Sequence, residues 1–494
     1  MRPAVPGQAR DDVVVICSKD EYRSSMTDLT SNPWFFCGIG GSGMLPLALI
    51  LHGQGATIAG SDRSRDQGRL PEKFAWLESL GFKLFAQDGS GISSAAQTLV
   101  ASAAVEDTVP EMIRAKELGC PRMSRAELLA TLFNAAPLGI AIGGTSGKST
   151  VTGMLGWIMT VVGRDPTIMN GAVMKNFVAA DAPFASARVG AGEIFVSEVD
   201  ESDGSIALYR PKVAVLGNVS LDHKSLEELR ALFGDFLGAA EVAAINVDDA
   251  ETAALGPCAR ALVTFGTESA EAMIGVVPGS ISEASASLSA AIMDRRDGNV
   301  CVLSLKIPGR HNLANALAAI AGANAAGVPI AEAVAALASF TGLARRFDIV
   351  GTSPSGITVI DDFGHNPDKV SATLDTLKAH PGRVIAFFQP HGYGPLRQMG
   401  AELADVFAAK LAPDDLTILC DPVYFGGTVD RSLGAERIVD LINAAGGTAE
   451  YVAAREDCGL RIVEIARPED RIVIMGARDD TLSLFARELL ANLA

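Results

Sequence analysis

A seven-residue turn sets the tightest limit on what this chain can fold into. Gly144-Thr145-Ser146-Gly147-Lys148-Ser149-Thr150 follows the apolar run 138–142 and opens a pattern that predicts a helix over about 150–162. A strand that empties into a glycine-rich turn and then a helix is a phosphate cradle. The glycines let the backbone approach the anion, and the helix N-terminus offers N–H groups with no partner of their own. Lys148 adds a point charge, and Ser149 is placed to hold Mg2+ through its hydroxyl. The common G-x-x-x-x-G-K-[ST] spacing wants glycine at 142, where Ile142 stands, so the ordinary kinase and GTPase pattern is excluded. The loop by itself implies a nucleoside triphosphate and leaves the reaction open.

The rest of the chain agrees with an α/β fold, because short apolar runs alternate with longer helical patterns, the pattern of largely parallel sheets. At 494 residues the chain exceeds one ordinary core, and roughly 150 residues per domain suggests about three. Residues 1–31 are polar and irregular and read as a flexible extension. A first domain spans 32–136 and a second 137–343. The second ends in an Ala-rich helix pair, 312–326 and 330–339, split by Gly327-Val328-Pro329. A third, 344–494, carries strand-like runs at 358–360, 384–388, 416–419 and 472–475. The Ser/Ala-rich stretch 281–291 carries little signal, and no internal repeat is present.

Charge and cysteine usage narrow the class. A net charge of -17 argues against a nucleic-acid surface, which needs clustered Lys and Arg. Seven scattered cysteines without a C-x-x-C pair fit a reducing cytoplasm better than a disulfide or zinc framework. No apolar run reaches membrane-spanning length and no signal-peptide pattern opens the chain, so no membrane partner is expected. The molecule is expected to be a monomer or homodimer.

Two further strand ends fall beside the phosphate loop. The strand 193–197 runs into Glu198-Val199-Asp200-Glu201-Ser202-Asp203, and the strand 213–216 runs through Asn218 to Asp222-His223. Ligands of open α/β sheets bind outside the carboxyl ends of the strands, which puts Glu198 and His223 with Ser149 where Mg2+ on a nucleotide needs hard ligands. A solvated acidic loop and a structural histidine are the plain alternatives for each taken singly. Near the N-terminus, Gly38-Ile39-Gly40-Gly41-Ser42-Gly43-Met44 with Asp62 after the run 57–60 satisfies the dinucleotide fingerprint. Such a turn binds any diphosphate, so NAD and a UDP group both remain open on this motif alone. Ser102, at another strand end, is placed to complete that pocket.

These motifs occur in order with Pro308-Gly309-Arg310-His311-Asn312, Arg345-Arg346-Phe347-Asp348, Asp361-Asp362-Phe363-Gly364-His365 and Phe388-Gln389-Pro390-His391. The series, over about 34–400, resembles the Mur ligase family of peptidoglycan synthesis. The resemblance implies a Rossmann-like domain for the UDP-sugar, a central P-loop ATPase domain and a Rossmann-like C-terminal domain that closes over ATP. The implied reaction makes an amide between an amino acid, L-alanine, and the carboxylate of UDP-N-acetylmuramate, by way of an acyl phosphate. Lys148, Arg346 and Mg2+ would neutralise the transferring phosphoryl group, with Ser149, Glu198 and His223 as metal ligands. His311, Asn312 and Asn315 would face the adenine side, and Asp362 a ribose or phosphate. Asn170 and Gly171 would contact the sugar acid, and His365, His391 and Arg397 the amine.

The departures gather at the amine end. Alanine-adding members usually follow the histidine matching His391 with arginine, whereas this chain has Gly392-Tyr393-Gly394-Pro395-Leu396-Arg397. It also carries Asn366 after His365, and Gly476-Ala477-Arg478-Asp479-Asp480 in place of a glycine-rich turn. A bidentate Arg clamp is not replaced by glycine without loss. A ligase recycling a murein tripeptide, and a paralogue with another amine or carboxylate, are the alternatives within the family. A catalytically silent nucleotide-binding paralogue is opposed by intact Lys148, Ser149, Glu198 and His223. An NAD-dependent oxidoreductase is opposed by the second phosphate loop.

Overall fold

The computed structural model describes residues 29–103, 105–220, 224–422 and 430–493. The expected extension lies outside them except at its end, where residues 29–31 form a helical turn whose Leu29 carbonyl accepts from the Trp34 indole at 2.8 Å.

The first sheet holds β1 (Trp34–Cys37), β2 (Ile58–Ser61), β3 (Lys83–Phe85), β4 (Thr98–Ala101) and β5 (Arg122–Ser124), in the order β3-β2-β1-β4-β5. Every pairing is parallel. Residues of β1, β2 and β4 are buried throughout, as strands covered on both faces must be. The order reverses at β1, so the glycine loop 38–44, which leaves β1 for the helix Leu45–Gly53, sits at the switch point where such sheets bind ligands.

The second sheet is built around β6 (Leu138–Gly143), which lies between β9 (Ile194–Glu198) and β10 (Val213–Leu216). Parallel register sets Ile142 beside Glu198 and Gly143 beside Leu216, so three strands end level at the phosphate loop. On one side β7 (Thr167–Met169) and the short antiparallel β8 (Ala187–Arg188) follow, and on the other β11 (Val242–Asn246), β12 (Leu262–Gly266) and β13 (Ile274–Val276). The segment that gave no signal contributes β14 (Ser282–Ala284) and most of β15 (Ser287–Asp294), which pair antiparallel with each other; β15 also pairs with β13 and β16 (Asn299–Leu305). The helix Arg310–Ala325 buries ten of its sixteen residues against the sheet and the phosphate-loop helix Lys148–Val161. Small residues permit this: a Cβ at Gly322 would stand 2.7 Å from Val215 and 2.9 Å from Leu155.

The third sheet runs β17 (Asp348–Thr352), β18 (Thr358–Asp362), β22 (Arg471–Gly476), β19 (Val384–Gln389), β20 (Leu416–Leu419), β21 (Ala449–Tyr451), parallel except for β17. Helices Pro367–Lys378, Tyr393–Lys410 and Ala435–Ala444 cover one face, and Arg455–Ile465 with Leu482–Asn492 the other. Cys37, Cys120, Cys420 and Cys458 are buried in the outer two domains, whereas Cys258 is exposed. Among the described residues no helix is long and apolar enough to cross a membrane.

Candidate active site

The phosphate loop takes its shape from glycine and from one asparagine. Gly144 and Gly147 adopt φ of 132° and 82°, conformations that a Cβ disfavours, and a Cβ at Gly147 would strike the Asn315 carboxamide oxygen. Asn218, just past β10, grips the loop across the sheet. Its Oδ1 accepts from Thr145 Oγ1 at 2.8 Å and Ser146 N at 2.9 Å, and its Nδ2 donates to Ser146 O at 3.0 Å. The Lys148 ammonium is folded back, donating to Gly144 O and to Glu201 Oε2, each at 2.7 Å. Glu201 is buried, so this ion pair is poorly screened.

Ser149 Oγ donates to Glu198 Oε2 at 2.9 Å, while the other Glu198 oxygen accepts from Gly171 N. A hydroxyl and a carboxylate at the end of a phosphate loop are the hard-oxygen donors that Mg2+ takes, so this pair fits such an ion. His223 lies outside the described residues. Asn170 is fully buried, with Nδ2 donating to Ser149 O at 2.9 Å and Oδ1 accepting from Ala172 N at 2.9 Å. Its carboxamide therefore supports the loop.

A cavity of about 580 Å³ separates this loop from the third domain. Arg346, Asp362 and His365 line its far wall, and His311, Asn312 and Asn315 one side. Arg346 is bracketed by Arg345 and Phe347 at φ of 60° and 49°, a sparsely populated pair for side-chain-bearing residues. It stacks on Phe363 with its guanidinium 4.3 Å from the ring centroid. Withdrawal from water lowers its pKa, opposed by the charges of Asp362 and Glu198. Asp362 accepts from Phe347 N, Gly364 N and Thr373 Oγ1 at 2.8–3.0 Å, so it braces the segments that carry Arg346 and His365. Asn312 ties its amide to Pro308 O, and Asn315 faces Gly147 at the phosphate end.

His365 lies edge-on to His391, ring centroids 4.9 Å apart. Burial, with Lys369, His391 and Arg346 nearby, depresses the His365 pKa to about 3. Its Nδ1 is 2.8 Å from Phe363 O. A carbonyl only accepts, so Nδ1 carries the proton and Nε2 keeps a lone pair. Arg397 pairs with Asp430 at the surface, through both carboxylate and carbonyl.

In the first domain, Gly38 has φ of 77°. The amides of Gly38 and Ile39 donate to Ser61 O, and Gly40 N donates to Asp62 Oδ2 at 2.8 Å. The other Asp62 oxygen caps the short helix Arg63–Asp66 by accepting from Ser64 N. The fingerprint aspartate thus holds the turn. Ser42 is exposed and Gly43 half-buried beside Arg125, while Ser102 lines a separate cavity at the ends of β4 and β5.

Family models match all three domains. Residues 35–136 match "Mur ligase family, catalytic domain", 142–323 "Mur ligase middle domain" and 345–478 "Mur ligase, glutamate ligase domain". The chain belongs to the Mur ligase family. Among curated relatives, UDP-N-acetylmuramate–L-alanine ligase of Agrobacterium fabrum is 36% identical, covering 90% of this chain and 94% of its own. The enzyme of that name from Streptomyces avermitilis is 33% identical over the same shares. The solved UDP-N-acetylmuramate–alanine ligase of Thermotoga maritima superposes with a TM-score of 0.76 at 25% identity, over 93% of this chain and 98% of that one. A murein peptide ligase from Psychrobacter arcticus shares the fold, with a TM-score of 0.70 at 23% identity over 94% and 98%.

Three residues have roles that the sequence motifs of this Mur ligase do not disclose. Asn218 and Glu201 belong to no phosphate-loop pattern, and only the level ends of β6, β9 and β10 bring them to Ser146 and Lys148. Lys73, discussed below, sits in an unremarkable helix and is singled out by its burial alone.

Proposed function

We propose that this Mur ligase uses ATP to join L-alanine to the carboxylate of UDP-N-acetylmuramate, in peptidoglycan synthesis and in the cytoplasm. The observation that carries this reading is the facing of Lys148, Ser149 and Glu198 by Arg346 and His365 across one nucleotide-sized cavity. The names of relatives at 33–36% identity support the choice of substrates.

The chemistry follows from the residues. A carboxylate oxygen of the sugar acid attacks the γ-phosphorus of ATP, the bond to the β-bridging oxygen breaks, and ADP leaves. Phosphoryl transfer needs position and neutralised charge more than a protein nucleophile. Lys148 and Arg346 supply positive charge from opposite walls. Ser149, Glu198 and His223 would hold Mg2+, which would neutralise part of the polyphosphate charge. The amine nitrogen then attacks the acyl carbon, and inorganic phosphate departs with the former carboxylate oxygen. The proton lost by the amine leaves with the departing phosphate, while His365, held neutral with a pKa of about 3, is too weakly basic to keep it and meets the amine as a hydrogen-bond acceptor through Nε2. The glycine loop 38–44 would take the UDP diphosphate, the Asn170-Gly171 turn beside Ser149 and Glu198 would meet the sugar acid, and His311, Asn312 and Asn315 would flank the nucleotide.

The test is phosphate release from ATP with UDP-N-acetylmuramate and, in turn, L-alanine, L-serine, glycine or an Ala-Glu-diaminopimelate peptide. Release with L-alanine, dependent on the sugar nucleotide, is expected; no release with any amine would sink the peptidoglycan reading. A peptide amine is the second reading, favoured because Arg397 is engaged by Asp430 and Gly392 offers no side chain to a free amino acid's carboxylate.

A further inference from the structure

Lys73 stands where all three domains meet. It lies on the helix Pro71–Ser79 of the first domain, yet its side chain is only 8% exposed, and lysine is rarely so buried without partners. Its ammonium donates to Gly40 O of the glycine loop at 3.3 Å and to Asp480 Oδ2 of the third domain at 2.8 Å. It also lies 5.7 Å from the ring centroid of Phe184 in the central domain. Beside it, Arg69 reaches Asp479 at 2.9 Å.

The acidic turn is aimed by strain. Arg478 holds φ of 62°, a conformation that costs a side-chain-bearing residue and persists only where the surroundings enforce it. Past it, Asp480 Oδ1 lies 3.8 Å from Nη1 of Arg345, a buried nitrogen without a hydrogen-bond partner. Arg345 donates through Nη2 to Gly476 O at 2.7 Å and contacts Asp361 at 3.5 Å. The residue after it is Arg346, on the wall of the nucleotide cavity. Glycine loop, Lys73, Asp480, Arg345 and Arg346 thus form one continuous polar path.

We propose that Lys73 and Asp480 are positioning residues that couple occupation of the glycine loop to the placement of Arg346 over the nucleotide. This rests on the ligase reading above, with the glycine loop as the sugar-nucleotide site. When the loop takes a diphosphate, the Gly40 carbonyl fixes Lys73, and Lys73 fixes the turn against which Arg345 is packed. The third domain is then set for phosphoryl transfer only when the acceptor is present.

Asp480→Asn, Lys73→Met and the double variant test this. Each single change is expected to raise KM for the sugar nucleotide about tenfold and lower kcat, while the Kd for ATP stays within about twofold. The double variant is expected to match the worse single one, because residues acting through one contact are not additive. Asp480→Glu should recover most of the activity, which separates positioning from misfolding. Effects that multiply to about a hundredfold, or an unchanged KM, would overturn the coupling. Hydrogen exchange of the free protein supplies a readout independent of the acceptor. Asp480→Asn should speed exchange of the amides in 40–44, and unchanged exchange overturns the contact itself. Absence of wild-type turnover with every amine, alongside faster exchange in the variant, would instead count against the ligase reading alone.

Discussion

Replacing Glu201 by glutamine should tighten nucleotide binding, although the substitution weakens an ion pair at the phosphate loop. Lys148 is bound to Glu201 Oε2 at 2.7 Å, with side chains 19% and 6% exposed. ATP must draw the ammonium away from this carboxylate. Bonds to charged groups are worth about 1.5–3 kcal/mol, with an ammonium–carboxylate pair near the upper end and an ammonium–amide bond near the lower. Glutamine therefore removes about 1.5 kcal/mol of competition, or about tenfold in affinity at 1.4 kcal/mol per decade. Loss of a buried negative charge beside the polyphosphate acts in the same direction. Calorimetric titration of wild type and Glu201→Gln with a non-hydrolysable ATP analogue measures the difference directly. Without added nucleotide the variant should also melt earlier, with the gap closing in saturating nucleotide, because bound ATP would take Lys148 from residue 201 in both proteins. Equal or weaker affinity in the variant would refute the competition and mean that Lys148 bridges Glu201 and phosphate at once.

Three further outcomes follow from the same geometry. Asn218→Ala removes three side-chain hydrogen bonds to the loop, about 3 kcal/mol at about 1 each, and should lower Tm and weaken ATP binding at least about tenfold; an unchanged Kd would mean that the loop holds its shape alone. Gly147→Ala, at φ 82° and against Asn315, should abolish measurable nucleotide binding while the fold survives by circular dichroism, and near-normal binding would contradict the assigned loop conformation. His365 titrates at about 3 in the folded chain against 6.5 when unperturbed, so between these values the unfolded chain binds more protons. Its contribution is complete above about pH 6.5 and fades as pH falls toward 3. Urea melts at pH 7.5 and 5.0 should accordingly show a smaller loss for His365→Gln than for wild type, and equal losses would contradict a buried neutral imidazole.

Contiguous features of the site were legible in the sequence. Glycine, lysine and hydroxyl stand side by side in residues 144–150, and the strand before them is apolar because both faces are covered. Glu198 was legible as a strand end, and β9 does deliver it to Ser149. What depended on register was not legible. Glu201 and Asn218 reach the loop from 53 and 72 residues away, and no local pattern encodes that approach. Asp62 satisfied a fingerprint, yet its oxygens are engaged by Gly40 N and Ser64 N, a choice made by backbone geometry. The hairpin β14–β15 escaped notice because serine and alanine carry weak strand preference; pairing with β13 and β16 supplies what propensity lacks. The left-handed residues Arg345 and Phe347 break local rules beside the nucleotide cavity, where consistency is expected to fail.

The distribution of thiols turns the molecule into its own reporter. Cys258 is open to solvent in the central domain, whereas Cys37 and Cys120 are enclosed in the first and Cys420 and Cys458 in the third. Burial, with Glu111 near, pushes the Cys37 thiol up to about 11, and contact with the Cys458 thiol together with burial raises Cys420, so both are unreactive while enclosed. A thiol reagent added to the native protein would label Cys258 early and the enclosed four only as their domains open. Labelling kinetics resolved by peptide would then time the opening of the first and third domains separately, without any introduced cysteine. The order of the two would say which end of the three-domain assembly lets go first.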